Sequence, residues 1–253
     1  MARTWLLVLA IAASTAAIAS AARATPDAYP GFDLMLLVRT YPPGYCSSHS
    51  CKLDPAPGFT VHGLWPEYDT GGWPQFCHQP RVNSTAPLPS ARSGCEWPSL
   101  MGPDRSFWDH EWQRHGTCAA PLLGGRDAFV DTVLRLHEEY ELDVALGKAG
   151  IVPSDRERYP VSAIVSAIEE AYGAAPLFNC DARGVLQELW LCIGLDLKAF
   201  TCPPRVRGGR RCPATVLLPA GPETPQACKG FFPDWPGAAH NARDEAQGAV
   251  AVV

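Results

Sequence analysis

The sequence predicts a disulfide-bonded protein of the α+β class, and three observations lead to this prediction. An apolar run rich in β-formers occupies residues 32–41, apolar side chains recur at helical spacing over 126–146 and 161–172, and ten cysteines are spread along the chain. With 47% apolar and 19% charged residues, the 253-residue chain can bury a sizeable core. A mainly disordered protein is therefore excluded.

The first 24 residues are typical of a secretory signal peptide, because Arg3 precedes an apolar run at 5–18 and small residues follow. The run is too short for a membrane span, so we expect a mature chain free of the membrane, in the extracellular space or the vacuole. Loss of Arg3 and Arg23 makes the mature chain more acidic than the formal net charge of −5.

An even number of cysteines in an exported chain indicates disulfide bonds, and no Cys-x-x-Cys pair points to a zinc site. Up to five bonds can form, and spacing alone does not give their pairing. One or two free thiols are the alternative. The sequon Asn83-Ser84-Thr85 predicts a surface glycan on Asn83.

The predicted elements begin with strands. Residues 32–41 predict a buried strand ended by a turn at Pro42-Pro43, and Phe59 to Leu64 predict a second strand. Residues 71–103 are rich in Gly, Pro, Ser and Cys, which predicts a long covering loop tied down by its two cysteines.

Helices and a further strand follow. The spacing over 126–146 and 161–172 predicts two packing helices, and 186–197 predict a strand or hairpin. With no internal repeat or linker, residues 25–237 are expected to form one domain. Residues 238–253 are expected to be a flexible extension or a processed propeptide.

The densest group of reactive side chains lies between Ser106 and Gly116. Ser106 with Asp109 resembles a capping box and Gly116 is a typical helix stop, so a short helix is predicted between them. At about 100° per residue, one helix face carries the reactive side chains, whereas Trp108 and Trp112 anchor the helix in the core. The residues expected on the reactive face are Phe107, His110, Glu111, Arg114 and His115.

The spacing of the two histidines excludes a zinc protease site. Such a site needs histidines four residues apart, whereas His110 and His115 are five apart and diverge by about 140°. The face suits phosphoryl chemistry, since Arg114 can bind a phosphate through its planar guanidinium and Glu111 can orient an imidazole. A purely structural cluster of ion pairs is the alternative.

A further histidine, His62, is predicted at the end of the second strand, before Gly63 and an exposed Trp65-Pro66. A lone histidine near a strand end is more often structural than catalytic. The reactive helix face reverses this preference, because two histidines can then act as an acid and a base in one site.

Both segments resemble the motifs of the ribonuclease T2 family of acid ribonucleases. Residues 61–66, Val-His-Gly-Leu-Trp-Pro, resemble the first motif, and residues 107–118 resemble the second. The similarity extends from Phe32 to Cys228. It implies a central, largely antiparallel β-sheet packed with several α-helices.

The resemblance implies an endoribonuclease that needs no metal or other cofactor and cleaves single-stranded RNA but not DNA. His115 would take the proton from the ribose 2′-hydroxyl and His62 would protonate the leaving 5′-oxygen, which gives a 2′,3′-cyclic phosphate. Deoxyribose lacks this nucleophile, so DNA is excluded by chemistry. The positions that match phosphate and transition-state support are His110, Glu111 and Arg114, and Trp65 and Phe107 could stack on bases or sugars.

The resemblance also implies four disulfide bonds and leaves two cysteines, which we pair with each other. The implied bonds are Cys46–Cys51, Cys77–Cys118, Cys180–Cys212 and Cys192–Cys202, and the remaining pair is Cys95–Cys228.

The chain departs from the family pattern in three respects. One is the absence of a cysteine pair that many plant relatives have, since only Cys51 is present and Met101 lies near the partner position. Thr40-Tyr41 stands where many relatives have Gln-Trp, so base preference cannot be transferred. Arg114 replaces the usual Lys, which keeps the charge but changes the geometry and could slow turnover. The sequence pI of 5.8 argues against the self-incompatibility ribonucleases, which tend to be basic, and favours a role in RNA turnover or phosphate scavenging.

We expect a monomer with an acidic pH optimum and a bell-shaped rate profile, because an acidic chain binds RNA best when its histidines are protonated. A non-catalytic recognition or storage protein that keeps the fold is the alternative, and the intact His62, Glu111 and His115 argue against it. The histidines expected on the surface are His49, His78, His137 and His240.

Overall fold

The structure is a computed structural model that describes residues 31–51, 56–77, 94–206, 208–222 and 228–229. The expected signal peptide, the sequon at Asn83 and the C-terminal tail lie outside the described residues, as do His78 and His240.

The described residues contain the strands β1 (Leu34–Thr40), β2 (Thr60–Glu67), β3 (Arg158–Pro160), β4 (Leu177–Cys180), β5 (Leu186–Ile193), β6 (Ala199–Phe200) and β7 (Thr215–Leu217). The main sheet has the order β2-β1-β5-β4, and the short β6 also pairs with β5. Every pair of strands is antiparallel, including the separate pair β3–β7. The predicted α+β class with a central antiparallel sheet is confirmed.

The helices are α1 (Pro42–Cys46), α2 (Asp104–Glu111), a π-helical segment (Trp112–Gly116), α3 (Thr117–Leu123), α4 (Arg126–Glu139), α5 (Leu142–Lys148) and α6 (Val161–Tyr172). Helix α6 has the predicted bounds, and β5 forms the predicted hairpin with β6. A turn was predicted at Pro42-Pro43, but these prolines begin helix α1. They occupy its first positions, where a missing N–H costs no hydrogen bond.

The central strand β1 is buried on both faces of the sheet. Met35 and Leu37 pack into the main core, against which α4 also packs. Leu34, Leu36 and Val38 pack into a smaller cluster on the opposite face. A strand covered on both faces has a continuous apolar sequence, which is why the run at 32–41 predicted it correctly.

The single helix predicted over 126–146 is wrong, because the chain leaves helical geometry at Tyr140. The buried guanidinium of Arg39 on β1 accounts for this break. It donates to the carbonyl oxygens of His137 and Tyr140, at 3.2 and 3.1 Å, and so satisfies the end of α4. His137, in the last turn of α4, is only 7% exposed, so its predicted surface location is wrong.

The covering loop predicted for 71–103 is confirmed only in part. Residues 71–77 have no regular structure, but residues 94–96 are helical and Trp97, 1% exposed, belongs to the main core. Burial of this tryptophan places the segment against the sheet, where it helps to build the site.

Disulfide bonds join all ten cysteines in the pairs named above. Among the described residues, no helix has the length and apolar character needed to cross a membrane.

Candidate active site

A cavity of about 580 Å³ opens between β2 and the segment formed by α2 and the π-helix. All seven residues predicted for catalysis, phosphate support and stacking line it: His62, Trp65, Phe107, His110, Glu111, Arg114 and His115. The structure therefore brings together two motifs that are separated by more than forty residues in sequence.

His62 lies within β2 and not at its end, so that detail of the prediction is wrong. Val38 of β1 pairs with Gly63, and the next residue, Arg39, pairs with Val61. His62 therefore has no partner on β1 and is the extra residue of a β-bulge. Bulges of this kind change the direction of a side chain without ending the strand.

The bulge places two aromatic side chains on the same side of β2. Val61 and Leu64 are three residues apart and both belong to the main core, while His62 and Trp65 are three apart and both line the cavity. In a regular strand, residues three apart point to opposite faces. Trp65 is half-buried, more so than predicted, and its ring centroid lies 4.9 Å from that of His62.

Glu188 of β5 forms a hydrogen bond with the ring of His62. Its Oε1 lies 2.7 Å from Nδ1 of His62, and its Oε2 accepts hydrogen bonds from Asn179 and Trp190 at 2.9 and 3.0 Å. Burial alone would lower the pKa of His62, but the hydrogen bond and charge of Glu188, with the charge of Glu111, raise it above its ordinary value. These contacts favour a protonated His62.

The carboxylate of Glu188 stays ionised in spite of its burial. Desolvation would raise its pKa, but the hydrogen bonds from His62, Asn179 and Trp190 lower it below the ordinary value. The pair is therefore an imidazolium held by a carboxylate. The backbone of His62 is fixed as well, because Trp97 donates to its carbonyl oxygen at 2.8 Å.

The reactive helix begins and ends elsewhere than predicted. It starts at Asp104, after Pro103, without a side-chain cap, so the capping box of Ser106 and Asp109 is wrong. Asp109 pairs with Arg126 of α4. The helix also does not stop at Gly116, because the chain continues through the π-helical segment into α3.

The π-helical segment carries two of the predicted site residues, Arg114 and His115. The amide of Thr117 bonds to the carbonyl of Trp112, five residues earlier, which widens the turn. The carbonyl of Arg114 accepts a hydrogen bond from Phe76 at 2.9 Å. A wide turn anchored in this way is common at functional sites.

The two tryptophans of this segment anchor it in the core, as predicted. Trp112 is 6% exposed and packs in the main core, and Trp108 donates to the carbonyl of Trp97 at 2.7 Å. Gly116 leaves the space that the ring of Trp112 needs, because a Cβ there would collide with that ring.

Glu111 is buried and connects the helix to β2. Its Oε2 accepts a hydrogen bond from the indole of Trp65 at 2.8 Å. Burial raises the pKa of Glu111, and the nearby His62, Trp65 and basic groups only partly offset this effect. A Cβ on Gly63 would collide with the same carboxylate, so glycine is needed where Glu111 approaches the strand.

His115 is 5% exposed, and its ring stacks on Trp65 with centroids 5.0 Å apart. Burial, then the positive charges of Arg114, His62 and His110, lower its pKa to about 3. Its Nδ1 is buried without a hydrogen-bond partner among the described residues. With Nδ1 buried, Nε2 is the ring nitrogen that can meet a ligand in the cavity.

Sequence reasoning missed several residues that line or support this cavity. Glu188 had a detectable signal, since a carboxylate inside the apolar run at 186–193 needs a partner when it is buried. Its partner could not be named without the sheet order. The other missed lining residues include Leu36, Glu67, Trp73, Trp190 and Arg205.

Among the described residues, no group of three or more His, Cys, Asp or Glu side chains is arranged as a metal site would require. A smaller cavity of about 90 Å³ lies on the other side of His62 and Phe107 and is also lined by Thr40.

Comparison with known proteins shows that the chain is similar to ribonucleases in sequence and in fold. The model of the Ribonuclease T2 family matches residues 32–202. Ribonuclease DdI of Dictyostelium discoideum is 35% identical over 224 residues, which cover 84% of this chain and 98% of the relative. Ribonuclease 3 of Arabidopsis thaliana is 36% identical over 203 residues, which cover 74% and 90%.

Solved structures with the same fold include an RNase-related protein from Calystegia sepium, with a TM-score of 0.68 and 30% identity over 77% of this chain and all of that chain. The structure of RNase NT in complex with 5′-AMP has a TM-score of 0.64 and 31% identity over 75% of this chain and 99% of that one.

Proposed function

The chain belongs to the ribonuclease T2 family of RNA-cleaving enzymes, and from this premise we propose that it cleaves single-stranded RNA by a metal-independent, two-histidine transphosphorylation. The observation that carries the proposal is the opposite electrostatic environment of two histidines in one cavity. The environment of His62 favours its protonated form, whereas that of His115 favours its neutral form.

His115 is the proposed general base. In the neutral tautomer that carries its proton on Nδ1, Nε2 can accept the proton of the ribose 2′-hydroxyl, and the 2′-oxygen then attacks the adjacent phosphorus. The lowered pKa keeps His115 neutral even in acidic solution. Its stacking on Trp65 holds the ring in one orientation for this step.

His62 is the proposed general acid. Its Nδ1 is engaged by Glu188, so the other ring nitrogen is the one that can donate a proton to the leaving 5′-oxygen. The bond between phosphorus and this oxygen breaks as the bond to the 2′-oxygen forms. The products are a 2′,3′-cyclic phosphate and a free 5′-hydroxyl.

His110, Glu111 and Arg114 are the proposed support for the phosphate and the transition state. Arg114 lines the cavity, where its guanidinium can donate to a phosphate oxygen. Glu111 fixes the indole of Trp65, on which His115 stacks. Trp65 and Phe107 are the proposed surfaces for bases or sugars.

The order of the two pKa values supports catalysis rather than storage. The pKa of His115, the base, lies below the ordinary histidine value, and that of His62, the acid, lies above it. At any pH between these two pKa values, most molecules therefore have a neutral His115 and a protonated His62. A storage protein has no need of this ordering. RNA is the proposed partner, since the complex of RNase NT with 5′-AMP shows a similar fold with a nucleotide.

We also propose that the chain is exported and acts as a monomer outside the cell or in the vacuole. Its proposed organisation is a signal peptide at 1–24, a ribonuclease domain at 25–237 that carries a glycan at Asn83, and a tail at 238–253.

The proposed reaction is tested by the ends that it leaves on RNA. The protein, purified with excess EDTA, is given a labelled RNA at pH 5 and the same oligomer with one 2′-deoxy linkage. We expect cyclic phosphate ends, no cut at the deoxy linkage, and losses of about 10²-fold or more in His62→Ala and His115→Ala. Activity of either variant close to that of the unmodified protein would refute the mechanism, and an inert unmodified protein would favour storage.

A further inference from the structure

A second cavity, of about 640 Å³, lies on another part of the surface and is lined largely by arginines. Asp181 is the one carboxylate residue in its lining, and it pairs with Arg183 at 2.8 Å. The other three arginines have no carboxylate partner among the described residues. They are Arg158, Arg210 and Arg211, and we call them the arginine cluster.

The arginine cluster is unusual for its chain. The protein has a formal net charge of −5, yet these three exposed guanidinium groups share one concave surface. Like charges that approach one another repel, so this arrangement costs free energy unless an anion occupies it. The proposed catalytic site does not use any of the three residues.

The cluster is held by defined contacts and not only by proximity in sequence. Nη2 of Arg158 donates to the backbone carbonyl oxygens of Arg183, Gly184 and Thr215, at 3.1 to 3.2 Å. These acceptors are uncharged, so the guanidinium keeps its positive charge. The Cys180–Cys212 disulfide and a hydrogen bond from the amide of Arg210 to Asn179, at 2.9 Å, fix the segment that carries the other two arginines.

This segment also borders the proposed catalytic cavity. Arg205 and Gly208 line the catalytic cavity, whereas Arg210 and Arg211 line the second one. The Cα atoms of Gly208 and Arg210 are at most about 7 Å apart, because two peptide units join them. Residues 208 and 209 are glycines, so on this segment no side chain stands between the two cavities.

A hydrogen-bonded path connects the two cavities as well. The side chain of Asn179 accepts from the amide of Arg210 and donates to Glu188 at 2.9 Å, and Glu188 in turn holds His62. The cluster is therefore fixed relative to the catalytic histidine through two side chains. A strand that leaves the catalytic cavity over Gly208 would meet the arginines directly.

Resting on the proposed function, we propose that Arg158, Arg210 and Arg211 bind phosphate groups of the single-stranded RNA that extends beyond the cleaved linkage. Arginine forks match phosphate oxygens and carry no base preference, so the site holds the strand without selecting sequence. It explains how an acidic enzyme can retain a polyanion. It also predicts that long RNA is a better substrate than a dinucleotide.

The test removes Arg210 and Arg211, whose side chains make no hydrogen bond or ion pair among the described residues. R210Q/R211Q is compared with the unmodified protein on a dinucleoside monophosphate and on a 12-nucleotide RNA. We expect kcat/KM to fall about fivefold to tenfold on the 12-mer and to change less than twofold on the dinucleotide. The matched control is R135Q/K148Q, which also loses two exposed positive charges but lines neither cavity.

Binding separates this proposal from the proposed function. The affinity for an uncleavable 2′-O-methyl 12-mer is measured from 50 to 300 mM salt. The slope of log K against log salt is negative, and loss of two phosphate contacts reduces its magnitude by about 1.4. An unchanged slope in R210Q/R211Q, or an equal loss in the control, would overturn the arginine site whether or not RNA is cleaved. Absence of cleavage with the expected change in slope would overturn only the proposed reaction.

Discussion

Nδ1 of His62 and Oε1 of Glu188 lie 2.7 Å apart, although 126 positions separate the two residues in the chain. The antiparallel pairing of β1 with both β2 and β5 brings them together. Because the pair is partly shielded from water, the charge of Glu188 acts strongly on the imidazole. This contact gives His62 a protonation state opposite to that of His115.

Glu188→Gln should lower the pKa of His62, because the amide removes the negative charge that raises it. The alkaline limb of the kcat/KM profile then moves to lower pH, and activity at pH 7 falls about tenfold for each unit of the shift. A pH–rate profile on a dinucleotide measures the effect. Glu139→Gln on the exposed face of α4 is the matched control. An alkaline limb that stays in place would show that Glu188 does not set the pKa of His62.

Gly63→Ala should break the contact between Glu111 and Trp65, because the added methyl group would collide with the Glu111 carboxylate. The ring of Trp65 then loses its hydrogen bond to Glu111, and His115, which stacks on this ring, is no longer held in one orientation. We expect kcat to fall about tenfold or more, with a smaller effect on KM. Gly102→Ala serves as the control, since a Cβ there has no neighbour within 4 Å. Equal kinetics for the two alanine variants would contradict the role assigned to Gly63.

His115→Asn should make folding less sensitive to acid. The folded protein holds the pKa of His115 at about 3, whereas the unfolded chain restores the ordinary value of 6.5. The unfolded state therefore binds more protons between these values, and His115 costs about 3 kcal/mol of stability on going from pH 6.5 to 4.

Urea unfolding at pH 6.5 and 4 gives the free energy of unfolding at each pH. The cost is the difference between the loss in the unmodified protein and the loss in His115→Asn. The variant should lose less stability on acidification. His49→Asn, a change at an exposed histidine, should behave like the unmodified protein. If His115→Asn loses as much stability as the unmodified protein, His115 titrates normally in the folded state.

Arg114→Lys, which restores the residue usual in the family, should keep or raise the activity, whereas Arg114→Gln should lose about 10²-fold. Both cations can neutralise a developing phosphate charge, but glutamine cannot. Single-turnover rates on a saturating dinucleotide separate this effect from binding. A glutamine variant that matches the lysine variant would place the phosphate elsewhere in the cavity.

The sequence predicts the helix α6 and the buried strand β1 well, because their apolar patterns are long and regular. The seven predicted site residues that the family motifs contain all line one cavity. Prediction from the sequence fails where packing overrides local preference. The break at Tyr140 depends on Arg39, a residue about one hundred positions away.

The bulge at His62 and the π-helical segment at Trp112–Gly116 were equally beyond a local pattern. Each inserts one residue into a regular element, and the insertion is visible only when the hydrogen-bond partners are known. Each occurs at or beside a histidine that lines the cavity. Glu188 could be suspected as a buried carboxylate, but its partner required the strand order.

The proposed roles of His62 and His115 depend most on their opposite protonation, which NMR can measure directly. The ring resonances of ¹⁵N-histidine-labelled protein are followed from pH 3 to 9 and assigned with His62→Gln and His115→Gln. We predict that His62 titrates above 6.5 and that His115 stays neutral down to about pH 3. The reverse order, with His115 protonated at a pH where His62 is neutral, would contradict the assignment of base and acid.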